Sequence, residues 1–161
     1  MTTSADRSLR NGVVGAVVLA LVAVGCGTGG GRLSVRDYVR RAGDVCRDAN
    51  AVLARIAVPD LSAARAAPRA MRRAVRVERR AVHELRGLHP PGRLADLHQR
   101  WVALLEQGAD EMERAAIDAQ RGHVVDAAEH RANARLLWAR AGTLVASEGM
   151  DSCGGPRFTT A

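Results

Sequence analysis

An all-α fold, an up-down-up-down antiparallel four-helix bundle with one disulfide, is what this sequence predicts, and four observations predict it. Apolar residues recur at steps of three and four along four segments, which is the spacing of one helix face. No segment alternates convincingly as a half-buried strand would. Ala, Arg, Leu and Glu, which favour helix, dominate, and aromatics make up only 2% of the chain. The connections between the four segments are short, which makes consecutive helices antiparallel neighbours.

The first helix is expected from about Val35 to Ile56. Ser34 caps it, and Asp37 three residues later completes a capping box. Val39, Ala42, Cys46, Ala49, Leu53 and Ile56 follow helical steps, so Cys46 lies on the core stripe. Val58-Pro59-Asp60 ends the helix. The second is expected from roughly Pro68 to Leu88, with Pro68 in its first turn; Asp60 or Ser62 capping an earlier start would make Pro68 a kink instead. His89-Pro90-Pro91-Gly92 is a firm break. The third runs from about Arg93 to Arg121, with Leu94, Leu97, Trp101, Leu105 and Met112 on its apolar side, and Gly122 ends it. The fourth runs from about Val124 to Ser147, with Gly149 as its C-terminal cap. In this topology the fourth helix ends beside the start of the first. Cys46 lies ~18 Å into the first helix, and the tail after Gly149 reaches at most ~14 Å to Cys153. Either the first helix overhangs the bundle or the tail folds back along it.

The N-terminus reads as a targeting signal over residues 1–25. Arg7 and Arg10 precede Gly12 to Val24, which has no charged or polar side chain, and Gly25-Cys26-Gly27 follows. Charge, apolar core and small residues in this order mark a secretory signal. About a dozen apolar residues are too few to span a bilayer, which needs roughly 20. The run Val22-Ala23-Val24-Gly25-Cys26 resembles the bacterial lipobox, with Ala23 where that motif usually has Leu, Val or Ile. The resemblance implies cleavage before Cys26 and its diacylation, and two acyl chains hold a protein stably on a membrane. A simple cleaved signal is the alternative. Residues 26–33 are then the lipid-attachment Cys and a Gly-rich tether, residues 34–153 the bundle, and residues 154–161 a loose C-terminal tail. Outside the cytosol Cys46 and Cys153 are left as a pair and are expected to oxidise; two free thiols or metal ligands are the other reading. Closing a loop of about 100 residues contributes up to roughly 4–5 kcal/mol in the chain-entropy model.

The order lipobox-like Cys26, Gly-rich tether, Tyr38 to Cys46, Val58-Pro59, Leu88-His89-Pro90-Pro91, Trp101, Gly122 and Gly149-Met150-Asp151-Ser152-Cys153 resembles a set of small secreted actinobacterial helical lipoproteins. The likeness covers most of the chain after Cys26. It implies the architecture and brings no activity with it. All 24 basic Lys or Arg residues are Arg, which suits a high-GC genome.

Charge supplies the strongest functional signal. The chain carries a formal net charge of +7, and the second helix is crowded with arginines, among them Arg72, Arg73, Arg76 and Arg80. They are expected to contact anionic lipid or a phosphate-bearing wall polymer, at about 1 kcal/mol per basic residue near a membrane. The structural reading, which the charge pattern favours, pairs them with Glu106, Asp110, Glu111, Glu113 and Asp118 on the third helix, as exposed ion pairs worth about 0–1 kcal/mol each. Pairing about the Pro90 turn would set Glu106 level with Ala74 and Asp110 level with Ala70. Nucleic acid is not expected, because stacking aromatics are missing.

Trp101 and Trp138 are expected at one level of the bundle, either lining a small pocket or filling the core. Five histidines carry no Glu-x-x-His pair of the di-iron kind, so no metal or other cofactor is expected. No nucleophile, zinc or phosphate-loop motif occurs, and the chain is not expected to be an enzyme. The function expected is that of a cell-envelope lipoprotein at the outer face of the membrane, held by its lipid anchor. It would serve as a non-catalytic binding or interaction module for a ligand or protein partner the sequence leaves open. The alternative is a small-molecule or metal carrier using the bundle interior around Trp101, Trp138 and His98.

Overall fold

The structure, a computed structural model, describes residues 31–63 and 66–155. The signal segment with Cys26, and residues 156–161, lie outside the described residues. Four helices follow one another: α1 (Val35–Leu53), α2 (Ala66–Arg86), α3 (Ala95–Arg121) and α4 (Val124–Ala146). They form the expected antiparallel four-helix bundle, with no strand element among the described residues.

Local chemistry sets most of the helix ends. Ser34 Oγ accepts from Asp37 N at 3.1 Å, and the Ser34 hydroxyl donates to the Asp37 carboxylate at 2.7 Å, a reciprocal cap on the first turn. α1 ends at Leu53, three residues before the expected Ile56, because its last turn tightens into i→i+3 bonds, Arg55 N to Val52 O at 3.1 Å and Ile56 N to Leu53 O at 2.9 Å. Ile56 and Val58 still reach the core from that connection. Pro68 is the third residue of α2, where its missing N–H has no helical partner to lose. Gly122, at φ +82°, ends α3 in the left-handed conformation. There His123 N bonds back to Asp118 O at 2.9 Å, which satisfies a carbonyl the helix end would otherwise orphan.

Each helix packs on the next in sequence, while α1 and α4 make no close backbone approach. The 3-10 turn Asp151–Cys153 lies between them and touches both. The Cys46–Cys153 disulfide, with Cα atoms 5.1 Å apart, fastens that turn to α1. Asn50 Nδ2 adds a bond to Ser152 O at 2.7 Å. The tail therefore folds back along α1, as one of the two expected arrangements has it. Gly154 and Gly155, from the stretch expected to be loose, press on Gly142 and Trp138 of α4.

The α2–α3 register departs from the expectation. Asp110 meets Arg79 at 3.1 Å, and Glu106 meets Arg86, so neither lies level with Ala70 or Ala74. The cause is the connection. Pro91 is extended at φ −61° and ψ 151°, so the chain runs on past the end of α2 before Gly92–Leu94 turns it back. α3 therefore begins beyond the end of α2. The α3–α4 turn has no such stiff insert, and pairing there follows Gly122: Trp138 lies over Gly108, and His130 meets Glu111 at 2.7 Å.

Candidate functional site

The arginines of α2 divide between two sides. Arg79 and Arg86 face α3 and its carboxylates, and Arg72 donates to the Gln120 side chain there. Arg73, Arg76 and Arg80 face the other way, along the seam with α1, and make no ion pair among the described residues. So three of the four arginines singled out by charge come together, and Arg72 is parted from them. The cause is helical geometry: positions 73, 76, 77 and 80 share one face, and 72, 79 and 86 another.

Along that seam runs a groove of about 460 Å³. Val45, Val52, Ile56 and Val77 supply its apolar surface, and the three arginines rim it. Val52 is 45% exposed although it is a large aliphatic side chain. Asp48 and Glu84 also reach the rim, unpaired at salt-bridge distance, so the rim carries three positive charges against two negative. The combination of apolar floor and guanidinium rim suits a ligand with an apolar portion and an anionic one.

Trp101 and Trp138 do not share a pocket. Trp101 is wholly buried beside His98, whose ring is 6.3 Å away edge-on. Trp138 is 3% exposed and covers Gly108, seven residues further along α3, or ~10 Å. The expected common level therefore fails, because the Gly122 pivot sets Trp138 opposite Gly108 rather than Trp101. Neither indole lines the grooves described here.

Two buried polar side chains stand apart from that groove: Glu78, which the sequence did not single out, and His98, which it offered only for an interior carrier. Tyr38, fully buried, bonds through its hydroxyl to His98 Nδ1 at 2.7 Å. Burial raises the Tyr38 hydroxyl to about 12 and lowers the His98 imidazole from its usual value. Glu78 is 6% exposed and has neither a hydrogen bond nor an ion pair among the described residues. Burial pushes its carboxyl up to about 7. It borders a cleft of about 20 Å³ beside Cys46, Asn50, Ser152 and Cys153, room for roughly one water. A signal for both was present. Glu78 falls on the stripe Met71, Val75, Val82, Leu85, and His98 on the stripe Leu94, Trp101, Leu105, where apolar residues belong.

No group of three or more His, Cys, Asp or Glu side chains among the described residues is placed to hold a metal ion. No helix among them is long and apolar enough to cross a membrane. Compared with known proteins, the chain matches no family model, no curated protein and no solved structure.

Proposed function

We propose that this chain is an exported, lipid-anchored cell-envelope protein that acts as a non-catalytic binding module, and that the α1–α2 groove receives amphipathic anions, in the first place anionic lipid. The observation that carries this reading is the division of the arginines. Arg79 and Arg86 spend their charge on Asp110 and Glu106, while Arg73, Arg76 and Arg80 stand unpaired around an apolar floor. Leaving three guanidinium groups beside the exposed Val52 and the half-buried Val45 and Val77 adds little to the fold, since exposed charges contribute little to stability and the exposed part of an apolar side chain contributes nothing to the core. Export and anchoring are supported by the order of Arg7, Arg10, the apolar run and Cys26. They are also supported by the likeness to secreted actinobacterial lipoproteins and by the joined Cys46–Cys153 pair, which belongs to an oxidising compartment.

Binding of the chain to phosphatidylglycerol vesicles, against phosphatidylcholine vesicles, tests the groove. The triple variant R73A/R76A/R80A should weaken binding by about 100-fold at low salt, from about 1 kcal/mol per arginine. R79A/R86A, which removes arginines already neutralised, should change it only a few fold. Equal binding by the triple variant and the parent chain would remove the groove from consideration. Intact mass of the membrane-extracted protein tests the anchor independently, by reporting cleavage before Cys26 and the added acyl chains.

A further inference from the structure

A second groove lies at the end of the bundle where the chain enters α1. Leu33 N donates to His89 O at 3.0 Å, which lays Arg32 against the α2–α3 connection. A Cβ built on Gly92 would come within 3.0 Å of Arg32 Nη1, so the guanidinium rests on that glycine. Arg32, Arg86, His89, Ala95, His98 and Gln99 line the groove, which encloses about 380 Å³.

His98 is the informative side chain. It is 7% exposed, and Tyr38 occupies its Nδ1. The Tyr38 hydroxyl is buried and has no other partner among the described residues, so its proton is directed to Nδ1; the reverse arrangement would leave a buried O–H without an acceptor. Burial lowers the imidazole below its usual value and so favours the neutral ring near neutral pH, and a neutral ring that accepts at Nδ1 carries its proton on Nε2. That nitrogen has no partner among the described residues. It is not enclosed by protein either, so its N–H opens on the groove. The fold has thus buried a histidine, fixed its tautomer and left one donor unused.

The charges around that donor favour an anion. Arg32 makes no ion pair among the described residues. Arg86 is shared with Glu106, and the nearby Glu148 is taken by Arg93 at 3.1 Å. Asp96, in the first turn of α3, is exposed and is the one acidic side chain in that turn. Leu94 makes no side-chain cap on α3, so the positive end of a 27-residue helix adds to the same field.

We propose that this end groove is an oxyanion site for a phosphate monoester group, with His98 Nε2–H as the donor at its floor, Arg32 as the cationic rim, and Tyr38 as the residue that positions His98. A tetrahedral phosphate offers several oxygens to donors arriving from different directions, which here are a guanidinium fork, an imidazole N–H and the Gln99 amide. The site shares no lining residue with the α1–α2 groove and does not rest on it.

The test follows the His98 ring resonances of the full chain by NMR near neutral pH. One arm adds glycerol 1-phosphate; the other adds phosphatidic acid in phosphatidylcholine vesicles, against phosphatidylcholine alone. A saturating shift at Nε2 in the first arm identifies a soluble phosphate ester as ligand, and a shift confined to the second identifies a lipid head group; either supports the site. R32A should weaken binding by about tenfold or more, as loss of a charge-assisted bond does. Y38F should release the tautomer, seen as redistribution of the ring proton between Nδ1 and Nε2, with weaker phosphate binding. R73A/R76A/R80A should leave the His98 shift in place, which separates this site from the other groove. No shift in either arm, or binding that R32A and Y38F leave unaltered, overturns the proposal.

Discussion

Replacing Glu78 by Gln should stabilise the protein above neutral pH. The carboxyl is buried without a partner, and burial moves it from 4.5 to about 7. The unfolded chain releases this proton near the ordinary carboxylate value. Between those two values the folded state holds a proton the unfolded state has lost. Stability therefore falls as pH rises from about 4.5 through about 7, and the Glu78 contribution is flat above that window. The displacement corresponds to about 3 kcal/mol. Glu78→Gln keeps the shape and removes the titration, so the variant and the parent should be similar near pH 4.5 and differ by up to about 3 kcal/mol near pH 8. For a domain of this size that is about 10 °C in Tm. Thermal unfolding with the disulfide intact, run for both chains across that range, gives the difference directly. Subtracting the curves also removes the opposing contribution of His98, whose depressed pKa costs stability as pH falls below the ordinary histidine value. Parallel curves would show that the carboxyl is hydrated or paired in solution, and the account of Glu78 as an unpartnered buried acid would be wrong.

Replacing both Cys46 and Cys153 by Ser should cost up to about 4–5 kcal/mol, since the bridge closes a loop of 107 residues; denaturant midpoints of the two chains measure it, and a loss under 1 kcal/mol would mean the tail is held by packing alone. Gly108→Ala would place a Cβ 2.3 Å from Trp138 Nε1, so the indole must move, at about 1–3 kcal/mol. Tryptophan fluorescence should shift along with Tm, and an unchanged spectrum at full stability would contradict the close seating of α4 on α3.

Much of the fold was legible because its signals are local. Ser34 with Asp37 marks the start of α1, Gly122 marks the end of α3, and the apolar steps mark the buried faces, all through interactions within a few residues of chain. The disulfide was legible by count, once Cys26 was assigned to the N-terminal segment. The relative heights of helices were harder. The Trp101–Trp138 level was misjudged by about two turns, although the Gly122 pivot was placed correctly. The α2–α3 pairing was displaced because Pro90-Pro91 was read as a break rather than as an extended spacer.

The sequence by itself determined that four amphipathic helices would alternate in direction and that a late cysteine would reach back to the first of them, because periodicity, caps and turn residues act over short stretches. Only the tertiary structure decided which arginines were spent on neighbouring carboxylates and which were left around the α1–α2 seam. It alone decided that Glu78 and His98 would occupy places on apolar stripes. Whether a charge is paired, or a polar group buried, depends on the helix that arrives opposite, and that arrival is set by the register of long, stiff elements joined by short connections.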